Sequence, residues 1–148
     1  MALSMNGEVM LPADRQMVWT KLNDPDVLKA CIPGCETLEK TGDTDFHAVA
    51  KFKIGPVSAR FKGNVSLSDL DPPNSYRISG QGDGGISGFA KGGANVRLED
   101  ADGGGTRLVY DVDAQVGGKI AQLGSRLIGS VAKKNADEFF ANFAKAVS

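Results

Sequence analysis

The stretch FHAVAKFKIGPVSARFKGNVSL, residues 46–67, has the clearest periodicity in the sequence. Apolar or small residues occupy every second position on both sides of the Gly55-Pro56 pair, and mostly polar or charged residues stand between them. Since successive side chains of a β-strand point to opposite faces, this alternation predicts an antiparallel hairpin with one buried and one wet face. The predicted inward residues are Phe46, Ala48, Ala50, Phe52, Ile54, Val57, Ala59, Phe61, Gly63, Val65 and Leu67.

The same period of two extends over residues 36–116, interrupted by turn sequences at residues 71–74 and 102–105. A short strand is also predicted at Glu8–Leu11, just before Pro12. These segments together predict a curved antiparallel sheet of about seven strands. Its further inward residues are Tyr76, Ile78, Gly80, Gly82, Val96, Leu98, Leu108, Tyr110, Val112, Ala114 and Val116.

Three other segments have helical periodicity. Asp14–Leu22 is predicted to form a short helix, and Asp24 caps a second one at about Pro25–Cys31. Gly118–Val147 is predicted to form one long helix with an apolar stripe. The stripe comprises Ile120, Leu123, Leu127, Val131, Phe139 and Phe143, with Ile128 and Phe140 beside it. The predicted fold is α+β, a single domain over residues 1–148, in which the sheet wraps around the terminal helix.

Composition limits the classes of function that fit the chain. The 148 residues carry a net charge of −1, are 41% hydrophobic and 24% charged, and so resemble an ordinary one-domain globular protein. No overall basic field points to a nucleic-acid partner. The first ten residues lack the pattern of a signal peptide, and no stretch is apolar enough to span a membrane. We therefore expect a cytoplasmic protein with reduced thiols.

The two cysteines, Cys31 and Cys35, bracket an Ile-Pro-Gly turn. A structural zinc site needs four nitrogen or sulfur ligands, and the single histidine, His47, falls on the wet face of its strand. A redox pair is more often C-x-x-C at a helix N-terminus, whereas these cysteines lie at and beyond the end of a helix. We interpret both as small buried hydrophobes and expect no metal site.

The segment Gly80–Gly85 matches the G-x-G-x-x-G pattern, but no helix that could receive a pyrophosphate follows it. We interpret Gly82–Gly93 as a long, mobile hairpin tip. Its Phe89 and Lys91 either touch a ligand, a partner or lipid headgroups, or have no role. With one histidine and no G-x-S-x-G motif, spacing identifies no nucleophile–base pair, so an enzyme in its own right is not expected.

Many inward positions of the sheet carry small side chains, which indicates either close helix–sheet packing or a cavity. These positions are Ala48, Ala50, Ala59, Gly63, Gly80, Gly82 and Ala114. Five aromatic residues on the same face favour an apolar cavity, because their rings would hold the helix away from the sheet. They are Phe46, Phe52, Phe61, Tyr76 and Tyr110. Asn135, on the apolar stripe, either bonds backbone or water or meets a polar ligand group.

Several stretches, at matching spacing, resemble the CoxG family of carbon monoxide dehydrogenase subunits, within the START/Bet v 1-like (SRPBCC) superfamily. They are Val18-Trp19-x-x-Leu22-x-Asp24-Pro25, Cys31-Ile32-Pro33-Gly34-Cys35-Glu36, Lys53-Ile54-Gly55-Pro56-Val57, Phe61-Lys62-Gly63, Asp71-Pro72-Pro73, Gly105-Thr106-x-Leu108-x-Tyr110 and Phe139-Phe140. The resemblance implies a helix-grip (Bet v 1-like) fold with a hydrophobic cavity. It also implies a molybdenum hydroxylase partner, attachment of that enzyme to the membrane, and quinone binding. Many members continue into a membrane-associating tail, whereas this sequence ends at Ser148, so we do not expect stable anchoring by these residues alone.

The resemblance and the cavity together predict a non-catalytic accessory protein that binds a quinone or lipid-like molecule and recruits a molybdenum hydroxylase to the inner face of the membrane. The alternatives are an assembly or interaction factor with an empty cavity, and a small-molecule enzyme. Asn135 and Tyr110 are the expected polar partners of a quinone head. The candidate ligand-binding residues are Phe46, Ala48, Ala50, Phe52, Ala59, Phe61, Tyr76, Ile78, Phe89, Val96, Leu98, Tyr110, Val112, Leu123, Leu127, Val131 and Asn135.

Overall fold

The computed structural model describes residues 1–148 and consists of seven strands and three α-helices. The strands are β1 (Ala2–Leu11), β2 (Cys35–Lys40), β3 (Asp45–Ile54), β4 (Val57–Asp71), β5 (Ser75–Asp83), β6 (Phe89–Asp100) and β7 (Thr106–Gly117). The helices are α1 (Arg15–Leu22), α2 (Pro25–Cys31) and α3 (Ser125–Ala146). All strands belong to one antiparallel sheet of order β1-β7-β6-β5-β4-β3-β2, which confirms the predicted α+β layout.

The hairpin of β3 and β4 has the predicted register and faces. Ile54 pairs with Val57 across the turn, and Ala48 pairs with Gly63 further along. Phe46 and Ala59 are buried on the inner face, while charged residues of β4 such as Arg60 are exposed on the outer face. The apolar period of two therefore sets which side of the sheet turns toward α3.

β1 is longer than the predicted strand at Glu8–Leu11. Its pairing with β7 begins at Ala2 opposite Gln115 and continues without interruption to Leu11 opposite Thr106. Its first residues alternate as well, with Leu3 and Met5 on the less exposed face and Ser4 and Asn6 on the other, and the edge of β7 offers the backbone groups with which they pair.

Both short helices begin at an aspartate cap, and the sequence predicted the one at Asp24. The Asp14 carboxylate accepts the Met17 N–H at 2.8 Å, and the Asp24 carboxylate accepts the Asp26 N–H at 2.9 Å. Pro25 follows as the first residue of α2, where its missing N–H costs no helical hydrogen bond. These caps fix the start of α2, and with it the helix that covers one side of the sheet.

The single helix predicted over Gly118–Val147 is wrong in its first part. Lys119–Leu123 forms a 3₁₀ helix, and α3 begins only after Gly124. Gly124 has a φ of 94°, a conformation that glycine adopts readily and that ends the first helix before the second begins. The break lets Ile120 turn into the core, where it is 2% exposed.

The long mobile tip predicted over Gly82–Gly93 is also wrong. β5 continues to Asp83 and β6 starts at Phe89, so only residues 84–88 form the turn. Gly82 and Gly92 lie within paired strands, opposite Ala90 and Gly80. A backbone ladder does not require side chains, and glycine-rich strands are therefore compatible with full pairing.

Two clusters of buried apolar side chains fill the space between sheet and helices. The first core, at the end of the sheet that carries α1 and α2, consists of Leu11, Val18, Leu22, Cys31, Tyr76, Val96, Leu98, Leu108, Phe143 and Val147. The second core, at the start of α3, consists of Ile54, Val116, Ile120 and Ile128. The sheet and α3 thus enclose two separate packed regions rather than one.

Candidate functional site

A cavity of about 250 Å³ opens between α2, the inner face of the sheet and the C-terminal half of α3. All 14 residues that line it are hydrophobic. They are Leu22, Leu28, Ile32, Leu38, Phe46, Ala48, Val65, Leu67, Tyr76, Ile78, Val96, Leu108, Phe139 and Phe140. Every α-helix and every strand except β1 contributes to this wall, so the cavity exists only in the assembled fold.

A chain of aromatic contacts fixes the wall that α3 provides. Phe140 stacks on Tyr110 with ring centroids 5.2 Å apart, and Phe139 packs against Phe140 at 5.1 Å. Phe139 also stacks on the fully buried Phe143 at 5.8 Å. Offset and edge-to-face contacts of this kind add to the apolar burial of the rings. They fix both phenylalanines in the cavity wall, to which Ala48 also contributes.

Tyr76 carries the only polar side-chain atom among the lining residues. It is 5% exposed, and its ring packs edge-on against Trp19 at 5.2 Å. Burial raises the pKa of Tyr76 well above its ordinary value, so the hydroxyl keeps its proton at physiological pH. The cavity thus combines apolar walls with one available hydrogen-bond donor.

Five of the candidate residues meet in this cavity: Phe46, Ala48, Tyr76, Ile78 and Val96. Five others pack against the second core instead, namely Phe52, Phe61, Leu123, Leu127 and Val131. Leu98 and Tyr110 belong to or border the first core without lining the cavity. Ala50, Ala59 and Val112 lie on the inner face of the sheet, away from the cavity.

Asn135 and Phe89 lie elsewhere. Asn135 is half-buried on α3, outside the cavity lining, and Phe89 is 48% exposed at the start of β6. The Tyr110 hydroxyl lies over β1, where a Cβ on Gly7 would be 2.6 Å from it. Neither of the two residues expected to meet a quinone head therefore faces this cavity, and Tyr76 is the polar residue that does.

Nine lining residues were not among the candidates: Leu22, Leu28, Ile32, Leu38, Val65, Leu67, Leu108, Phe139 and Phe140. Strand alternation already placed Val65, Leu67 and Leu108 on the inner face, so their direction was predictable. What alternation does not reveal is which part of that face α3 covers closely. The contribution of α2, through Leu28, follows from its packing against β2.

The cysteine segment borders the cavity without providing chemistry to it. Ile32 lines the cavity, and the preceding Cys31 is 3% exposed. The Asn142 side chain donates to the carbonyl of Cys31 at 3.0 Å and so ties the end of α2 to α3. Both thiols are free. Burial raises the pKa of Cys31, and burial, with Lys29 and Glu36 opposing one another, raises that of Cys35.

Thiol labelling tests this environment. Because the pKa of Cys31 is raised, a smaller fraction is thiolate at any given pH, and we expect native protein to react with a disulfide reagent more slowly than protein unfolded in urea. The rate should still increase at pH values where an ordinary thiol is fully ionised. A Cys35→Ser variant isolates Cys31 for this measurement. Equal rates in native and unfolded protein would contradict a buried thiol.

Neither a metal cluster nor a membrane span is evident. The chain brings no three His, Cys, Asp or Glu side chains together in a group that could hold a metal ion. No helix combines the length and the apolar character needed to cross a bilayer.

The chain is similar in sequence to one protein family and in structure to several solved proteins. A family model for CoxG, described as a subunit of carbon monoxide dehydrogenase, matches residues 7–148. A conserved protein from Geobacillus kaustophilus has a solved structure with a TM-score of 0.92 and 34% sequence identity, over 98% of this chain and 95% of that chain. A search of curated protein sequences finds no match.

More distant structures share the fold. A START superfamily protein from Mycobacterium smegmatis has a TM-score of 0.73 at 12% identity, over 97% of this chain and 96% of that chain. The ZhuI aromatase/cyclase from Streptomyces sp. R1128 has a TM-score of 0.70 at 15% identity, over 99% of this chain and 94% of that chain. At these identities the likeness shows the START/Bet v 1-like fold alone.

Proposed function

Because this chain belongs to the CoxG family of carbon monoxide dehydrogenase subunits, we propose that it is a non-catalytic accessory protein of a molybdenum hydroxylase. In this role it binds a quinone or another lipid-like molecule in its apolar cavity and recruits the hydroxylase to the membrane. The observation that carries the proposal is the cavity of about 250 Å³ with 14 hydrophobic lining residues.

An unfilled apolar cavity lowers the stability of a domain, because its lining side chains lose the contacts that a filled space would give them. Water is a poor filler, because a water molecule needs two to four polar partners and the walls provide a single hydroxyl. An apolar ligand would recover the lost contacts and keep the walls dry.

The volume limits what the cavity can enclose. An apolar protein cavity of about 150 Å³ binds benzene, and pockets that enclose drug-sized ligands measure about 300–1,000 Å³. The cavity here lies between these values, at about 250 Å³. It has room for a quinone ring system or a short alkyl chain. A long isoprenoid tail would have to extend out of it.

The Tyr76 hydroxyl supplies the expected polar contact. A quinone carbonyl oxygen accepts hydrogen bonds, and the Tyr76 hydroxyl is the only side-chain donor among the lining residues. The cavity has no second titratable group and therefore no pair for acid–base chemistry, which is why an accessory role suits it better than catalysis.

Replacing Tyr76 by phenylalanine tests this contact. We expect Tyr76→Phe to weaken binding of menadione about fivefold, through loss of one neutral hydrogen bond, while leaving thermal stability nearly unchanged. Tyr110→Phe is the matched control, because Tyr110 is the other tyrosine of the chain and lies outside the cavity lining. Equal losses of affinity in the two variants would rule out Tyr76 as the specific donor.

Organic extraction of purified protein, followed by mass spectrometry, tests the function itself. The proposal predicts a co-purifying quinone or lipid and a rise in melting temperature when menadione is added to stripped protein. If neither is found, the cavity is not a ligand site, and only recruitment through protein contacts remains.

A further inference from the structure

The charges of the chain are divided between two ends of the sheet. Because the strands from β2 to β7 form a meander, alternate turns lie at opposite ends. We call the end with segments 53–62, 83–91 and 117–126 the basic end, since it carries six basic residues and one acidic residue. The opposite turns, in segments 39–45, 69–75 and 97–107, carry eight acidic and three basic residues. A protein with a net charge of −1 therefore has a strongly polarised surface.

Most cations of the basic end have no partner. Five of the six form no ion pair: Lys53, Lys62, Lys91, Lys119 and Arg126. The sixth, Arg60, is bound to Glu36. The single acid, Asp83, accepts the Gly85 N–H at 2.7 Å and so shapes the turn of residues 84–88. The basic end thus presents five cations without an ion pair from three separate segments, with Asp83 opposite Lys62 in the sheet as its one carboxylate.

An apolar tip protrudes from the same end. Ile86 is 91% exposed, the highest exposure of any large hydrophobic residue in the chain, and Phe89 is 48% exposed. The Phe89 ring lies over Gly117, where a Cβ would be only 2.3 Å from it, so a glycine there lets the ring rest on the sheet edge. Lys62 and Lys91 line a depression beside the turn together with Ile86 and Phe89.

This combination suits a lipid surface better than a folded protein. A stable protein interface buries about 800 Å² on each partner, which Ile86 on the five-residue turn and the adjoining Phe89 do not offer. Membrane-surface segments combine apolar residues that enter the acyl boundary with lysines whose stems reach back to the headgroups. The basic end has both parts.

We propose that the basic end docks on an anionic bilayer, with Ile86 and Phe89 inserted at the acyl boundary and the five unpaired cations over the headgroups. This inference rests on the proposed membrane role and names the surface that performs it. The second core separates this tip from the cavity. A docked molecule therefore holds the cavity and the acidic end away from the lipid.

Co-sedimentation of the full chain with vesicles tests the docking. We expect binding to vesicles of phosphatidylcholine with phosphatidylserine, little binding to phosphatidylcholine alone, and release by salt. Ile86→Asn should lower the partition coefficient about tenfold through the lost apolar burial. The matched control is Met10→Asn, because Met10 is 61% exposed and lies near the acidic end of β1.

A charge variant tests the second part of the surface. Lys62→Gln/Lys91→Gln should lower the partition coefficient by about tenfold or more, since each cation near an anionic surface contributes about fivefold. Lys40→Gln/Lys145→Gln removes two exposed cations far from the basic end and should have little effect.

The outcomes separate this inference from the proposed function. If the wild-type chain binds anionic vesicles and the tip variants bind equally well, another surface docks and the inference is wrong while the membrane role stands. If the wild type binds no vesicles but Ile86→Asn loses its association with the hydroxylase, the tip is a protein interface and docking is overturned. Menadione binding should be unchanged in every tip variant, so weaker binding in Tyr76→Phe alone reports on the cavity.

Discussion

Ala48→Phe is expected to abolish ligand binding and leave the fold intact. Ala48 faces the cavity from β3, opposite Gly63, and a phenyl ring in its place would occupy space that a ligand needs. Forcing a ligand beside the new ring amounts to overpacking, so menadione affinity should fall by about 100-fold or more. The ligand-free protein should gain about 1 kcal/mol of stability, because the ring fills a void and suits a strand.

The measurement is thermal unfolding with and without menadione. The variant should melt at or above the temperature of the stripped wild type and show no further rise with ligand. Ala141→Phe, on the exposed face of α3, controls for the added hydrophobic surface and should respond to menadione as the wild type does. An Ala48→Phe protein that still binds menadione with wild-type affinity would place the ligand site outside this cavity.

Phe143→Ala is expected to cause the largest loss of stability. The Phe143 side chain is 0% exposed, belongs to the first core and stacks on Phe139, which lines the cavity. Removing it leaves a second void beside the existing one, and large-to-small changes of this kind cost about 4 kcal/mol. Urea denaturation should show a lower midpoint with an unchanged slope, and the melting temperature should fall by about 10–15 °C.

Phe89→Ala is the matched control, since it removes the same ring at a position that is 48% exposed. It should change the free energy of unfolding by less than about 1 kcal/mol. Similar losses in both variants would mean that burial in the first core does not distinguish the two phenylalanines. A small loss in Phe143→Ala alone would mean that α3 does not pack on the sheet as described.

The inner face of the strands and the start of a short helix could be predicted from the sequence, because local preferences and tertiary packing favour the same structure there. The alternation of residues 46–67 predicted the inner face, and Phe46 and Ala59 are buried on it. The cap at Asp24 predicted where α2 begins, since its carboxylate satisfies an otherwise unpaired N–H. The sequence did not predict the break at Gly124, because the residues before it are also compatible with a continuous helix. The break allows Ile120 to be buried, and that burial is a tertiary contact.

The candidate site was less predictable than the fold. Phe46 and Phe52 follow the same alternation on one strand, yet Phe46 lines the cavity and Phe52 packs against the second core. Asn135 and Tyr110 were reasonable polar partners, but the hydroxyl that lines the cavity belongs to Tyr76. Periodicity predicts which face of the sheet a residue lies on. It does not predict which part of the inner face lines the cavity.

The order of elements, the inward face of each strand and the caps of the short helices follow from the sequence, because each depends on neighbours a few residues apart. The tertiary structure decides where the cavity lies. Ile120 and Ile128 close one end of the space between α3 and the sheet, while Phe139 and Phe140 leave room over Ala48. That division depends on contacts between residues that lie far apart in the sequence, and such contacts arise only when the helix has packed on the sheet.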